Sequence, residues 1–320
     1  MGANSKIEWT DASWNPIRAR NLKTGKLGWY CEHATAGCEF CYAEDLNEWV
    51  GTGLPFKPGH RKDVEIFLDE EMLLVPLRWK KPRMIFVCSM TDAFADFVAD
   101  EWLDKMFAVM ALCPQHTFQV LTKRAERMRA YFDDLDDRSM AIGSALGDML
   151  DGDWIWKEGK QCRPQIDGFI SMAHGLTPDD ESFAREEFLP LPNVWLGISC
   201  ERQQEADERI PLLQDTPAEC RFISAEPLLG PIDFEKFVHH PNWIHWVIVG
   251  GESGRNARPF KIEWAESLIA QCRSASVACF VKQLGACAMS DGYPMHYAHK
   301  KGGDWNEWPD NLRVRQFPNS

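Results

Sequence analysis

Three cysteines, Cys31, Cys38 and Cys41, fall within the stretch WYCEHATAGCEFCYAE at a C-x6-C-x2-C spacing. Thiolates are soft donors that select zinc or iron–sulfur centres. A structural zinc or an ordinary electron-transfer cluster is closed by four protein ligands, so three leave one position for a water, a substrate or a cofactor. That vacancy points to chemistry. His33, two residues after Cys31, offers the other outcome, a closed Cys3His zinc site, and spacing alone leaves both open.

A second set of polar residues recurs at the ends of short apolar runs. Ser89, Thr91 and Asp92 follow one run; Thr122, Lys123 and Arg124 the next; then Ser199 and Glu201, Ser224 and Glu226, Gly250 to Ser253 with Glu252 among them, and Lys282 with Gln283. Any one such end is what a wet loop requires. Six of them matter if the runs are parallel strands, because strand C-termini then converge on one face, where active sites are built. In WVIVGGESGRNARPF the paired glycines let a backbone approach a ligand, while Arg255 and Arg258 are suited to hold an anion. Neither G-x-G-x-x-G nor G-x-x-x-x-G-K is present, which removes the dinucleotide and P-loop fingerprints.

The elements that must position these residues are legible as alternation. Strands are expected at Met84–Cys88, Phe118–Thr122, Val194–Ser199, Arg221–Ala225, Trp246–Gly250 and Cys279–Lys282, with a first one near Trp14–Ile17. Segments with helical periodicity, such as Glu101–Leu112 and Trp264–Arg273, separate them, the signature of βα units on a parallel sheet. The expected fold is α/β: one domain built as a partial or full parallel βα barrel. About 70 residues separate the third long run from the fourth, more than a crossover needs, so 125–192 is expected to be an insertion. The segment from about 290 to 320 has no clear period and is expected to wrap the barrel.

Composition narrows the classes further. Forty-five per cent of the 320 residues are hydrophobic, with 14 Trp and 18 Phe, ample for a core. No apolar run reaches about 18 residues and the first residues carry no signal core, so neither a membrane span nor a secretory signal is expected. Eleven cysteines, an odd number, argue for reduced thiols and a cytoplasmic setting. The net charge of −13 disfavours non-specific binding of nucleic acid.

GCEFCYAE, with its upstream cysteine and the WTDASWNP segment, resembles the phage-associated three-cysteine-motif proteins, radical-SAM-like proteins often labelled as a domain of unknown function. The resemblance continues through SMTDAF, VLTKR, GISCE, ISAEPLLGPI, VIVGGESG and VKQLG, and more distantly the loop is similar to that of spore photoproduct lyase, a DNA-repair radical enzyme. It departs from the usual C-x3-C-x2-C by three residues. The resemblance implies a radical SAM fold and a 4Fe–4S cluster on Cys31, Cys38 and Cys41, with S-adenosylmethionine on the fourth iron. An electron donor would drive its cleavage to a 5′-deoxyadenosyl radical. Phe40 takes the place of the aromatic near the adenine. By barrel position, Ser89, Thr91 and Asp92 suit the amino-acid end of S-adenosylmethionine, and Ser199 and Glu201 its ribose. Glu226, Glu252 and Lys282 are left for the reacting substrate. That substrate is expected to be nucleotide-derived or a nucleic acid, with a partner protein possible. Two other classes stay open, a zinc-stabilised binding or assembly module and a metal-dependent hydrolase. Cys88, Cys200, Cys220 and Cys279 read as core residues, Cys272, Cys279 and Cys287 are too irregularly spaced for a second cluster, and His296 and His299 read as surface groups.

Overall fold

The computed structural model describes residues 5–151, 189–238 and 240–318. After β1 (Ala12–Trp14) the chain leaves the main sheet for an antiparallel ribbon of β2 (Ile17–Asn21), β3 (Leu27–Gly28) and β4 (Val64–Leu68). The expected first strand at Trp14–Ile17 is thus split between two sheets. Proline explains the break: Pro16 has no N–H to give a ladder and restrains Asn15 before it. Between β3 and β4 lie the cysteine loop and helix α1 (Tyr42–Val50), and between β4 and β5 (Met84–Val87) one helical turn, α2 (Glu70–Leu73).

From β5 the alternation is regular. Helix α3 (Asp100–Ala111) leads to β6 (Thr117–Thr122), which is followed by α4 (Ala125–Tyr131) and α5 (Leu135–Asp151); β7 (Val194–Ser199), α6 (Gln203–Gln214) and β8 (Cys220–Ala225) come next. β9 (Trp246–Gly250), the short β10 (Phe260–Lys261), α7 (Ile262–Ser274) and β11 (Ala278–Gln283) complete the series. Strands β1, β5, β6, β7, β8, β9 and β11 pair in that order, all parallel. They form a curled sheet, a half-barrel with helices on its convex side, so the partial form of the expected barrel is the one adopted.

Alternation along each strand sorts the two faces. Val247 and Val249 of β9 join the core shared with Leu103, Phe107, Ile210 and Leu268 of the helices. Trp246 and Ile248 instead face the concave side with Phe86, Phe222 and Phe280. Gly197 of β7 supplies a needed gap there, because a Cβ would overlap the Phe222 ring. Trp9, before β1, lies 4.7 Å from Phe86 and 6.1 Å from Trp246 between ring centroids, and Phe317 lies 5.3 Å from Trp246. Aromatic side chains therefore close the N-terminal pole of the half-barrel.

Two helices are described within the stretch expected as an insertion over 125–192. Helix α5 packs along α3, and α4 against α6, burying Met128, Tyr131, Ile142, Leu146 and Met149; these two helices are wall. Of the rest of that expectation, 152–188 lies outside the described residues. The tail includes β12 (Ala288–Ser290) and β13 (Tyr293–Pro294), which pair beside β10. It then returns along the free edge of β11, where Val281 N–H donates to Val314 O at 2.8 Å and Gln316 N–H to Cys279 O at 2.8 Å. Among the described residues no helix is long and apolar enough to cross a membrane.

Candidate functional site

The cysteine loop follows β3 and lies over the C-terminal ends of the main sheet. A single 3-10 turn, Ala36–Cys38, shapes its centre, with Cys38 N–H donating to Thr35 O at 2.9 Å and Glu39 N–H to Ala36 O at 3.2 Å. Cys41 is the residue before α1, where the helix N-terminus favours a thiolate. Three strand ends hold the loop down. After β6, the Arg124 guanidinium donates to Asp92 Oδ2 at 3.0 Å and to Glu32 O at 2.9 Å. After β7, Glu201 accepts from Thr35 Oγ1 at 2.9 Å and pairs with Lys123, while Arg209 lies 3.4 Å away. After β9, Arg258 pairs with buried Glu252, reaches Glu39 at 3.1 Å and lies 5.3 Å from the centroid of the Phe40 ring.

The thiols themselves are compact but not gathered. Burial, with Asp92 adding to it and Arg124 opposing, pushes the Cys31 thiol up to about 12. Burial also raises Cys41, against backbone donors from α1, and each of these two feels Cys38. Cys38 Sγ accepts the Ala34 N–H at 3.4 Å, the kind of contact that stabilises a metal-bound thiolate. By donor type the set fits a soft metal centre. Among the described residues, however, no three His, Cys, Asp or Glu side chains are close enough together to grip an ion as they stand. His33, the alternative fourth ligand, is engaged with Glu44.

The other sequence-flagged residues divide into three groups. Asp92 is enclosed, accepting from Thr122 Oγ1 at 2.6 Å and from Lys123 N–H at 2.9 Å as well as from Arg124. Thr91 donates to the Tyr30 carbonyl and Ser89 bonds Asn15 at 3.1 Å. Glu201 is 0% exposed and Ser199 is buried; burial would raise the Glu201 carboxyl, but Lys123, Arg209 and Thr35 hold it below its ordinary value. On the concave side, Glu226 pairs with Lys282 at 3.0 Å and accepts from Ser224 Oγ at 3.5 Å, and Gly250 leaves the space that Glu226 fills. Tyr42 belongs to the same mouth: half exposed, it donates its hydroxyl to Ser89 O at 2.9 Å.

Beside the loop, a cleft of about 460 Å³ runs between α1 and the segment after β9, lined by Phe40, Cys41, Glu44, Lys57 and Arg255 among others. Arg258, expected to hold an anion with Arg255, is instead neutralised by Glu252 and Glu39, so of the two only Arg255 lines the cleft. Sequence reasoning missed Thr35, Gly37, Tyr42 and Arg209. Gly37 carries a signal only after folding, since a Cβ there would overlap the Glu201 carboxylate. The minor cysteines are core: Cys88, Cys200, Cys220 and Cys279 are all buried.

The molecule is thus an α/β half-barrel with a three-cysteine loop pinned over the open end of its sheet. The chain belongs to the family described as "Protein of unknown function (DUF5131)", whose model matches residues 4–309. No curated protein and no solved structure matches it.

Proposed function

We propose that this protein is a radical SAM enzyme in which Cys31, Cys38 and Cys41 hold a 4Fe–4S cluster and S-adenosylmethionine completes it. The observation that carries the reading is the placement of three soft donors, with no fourth committed, in one loop pinned over the mouth of a parallel half-barrel. When bound, that pair supplies hydrogen abstraction through a 5′-deoxyadenosyl radical, with the electron coming from an external donor. The chain's own residues then divide the work. Phe40 presents an aromatic face beside Cys41, and Ser89 and Tyr42 bring polar groups to the rim. Glu226 and Lys282 place a proton acceptor and a donor 3.0 Å apart on the concave side, where they bind and orient a substrate above the aromatic floor. The floor of Trp246, Phe222 and Phe280 excludes water from below. The substrate class we assign is nucleotide-derived or nucleic acid.

Anaerobic reconstitution with iron and sulfide tests this. The expected product is brown, carries about four irons per chain and releases 5′-deoxyadenosine from S-adenosylmethionine with a reductant. Cys38→Ala is expected to abolish both while circular dichroism shows the fold retained. A colourless protein with one tightly bound zinc would overturn the reading in favour of a binding module, and hydrolysis without S-adenosylmethionine or reductant in favour of a hydrolase.

A further inference from the structure

We propose that Glu201 is a positioning residue, a strut that fixes the shape of the cysteine loop before any metal arrives, and does not act by touching a ligand. A carboxylate at 0% exposure must be fully paired to be stable, and the pairing here is specific. Lys123 from the end of β6 and Arg209 from α6 meet it from the barrel side. From the opposite side come Thr35 Oγ1 at 2.9 Å and the bare backbone of Gly37. Thr35 precedes and Gly37 centres the turn in which the amides of Cys38 and Glu39 hydrogen-bond back to residues 35 and 36. Two of the three cysteines depend on that turn: Cys38 is its last residue and Cys41 follows three residues later.

The loop therefore rests on a charge buried in the barrel. Arg209 extends the strut into the scaffold by donating to Ser199 O at 2.6 Å, so the loop's centre is tied to both β7 and α6. Glycine at 37 is a requirement of closeness, since any side chain would displace the carboxylate from Thr35. This arrangement gives Glu201 a different role from the ribose contact that barrel position suggests.

Amide hydrogen exchange on the metal-free, reduced protein tests the strut directly. Thr35→Val removes only the hydroxyl donor; a hydrogen bond to a charged group corresponds to about tenfold or more in local opening. Exchange at residues 33–39 is expected to rise by about that factor while β7 and α6 stay as protected as in the unaltered protein. Thr35→Ser, which restores the hydroxyl without the methyl, is expected to return the slow rate. The proposal is overturned if Thr35→Val exchanges like the unaltered chain, if Thr35→Ser exchanges as fast as Thr35→Val, or if the unaltered loop shows no protection. None of these readouts involves iron. A failure of cluster loading removes the proposed function and leaves the strut standing, while a failed strut leaves the cysteines free to bind metal by another route.

Discussion

At the scale of single residues, the site is governed by what is missing as much as by what is present. Gly37→Ala adds one methyl group against a paired, fully buried carboxylate. Overpacking of this kind costs about 1–3 kcal/mol, and urea unfolding is expected to show a loss in that range. Glu201 also makes a pH prediction. Its carboxyl lies below the ordinary value of 4.5 in the folded state, so its contribution to stability is complete above that value and disappears as pH falls through the lowered one. Glu201→Gln is expected to flatten the dependence of unfolding free energy on pH in the acid range below 4.5. An unchanged acid profile would mean that the carboxylate is not the paired ion described.

At the scale of elements, α5 distinguishes wall from insertion. Its residues Ile142, Leu146 and Met149 are buried against α3, and Leu146→Ala is expected to cost about 2–5 kcal/mol, measured by chemical denaturation; a loss under half a kcal/mol would return α5 to the status of an excursion. The strands were readable because β7, β8 and β9 are short apolar runs buried on both faces, and such runs leave little else to be. α5 was not, because LDDRSMAIGSALGDMLD mixes acidic and small residues into a weak stripe. Pro16 was a printed warning against a strand through Trp14–Ile17. The cysteines stood out by spacing, and the six polar strand ends by position. Which of those ends would face ligand and which would face the loop above was not legible, because that depends on where a segment 166 residues away in sequence comes down, as between Thr35 and Glu201.

At the scale of the molecule, charge limits what can approach. With a net charge of −13 and the mouth's cations Lys123, Arg124, Arg258 and Lys282 each paired to a carboxylate, little counterion release is available to drive duplex binding. Electrophoretic shift of duplex DNA at physiological salt is expected to be absent at micromolar protein, and a salt-sensitive shift would refute that. A nucleic-acid substrate would then have to come as a nucleotide, a single strand or the cargo of a partner protein. One further consequence follows from Trp246, against which both Trp9 and Phe317 rest. Segments from both ends of the described chain are stapled at the pole opposite the cysteines, so a tether attached at either end would hold the mouth outward, toward whatever shares the solution.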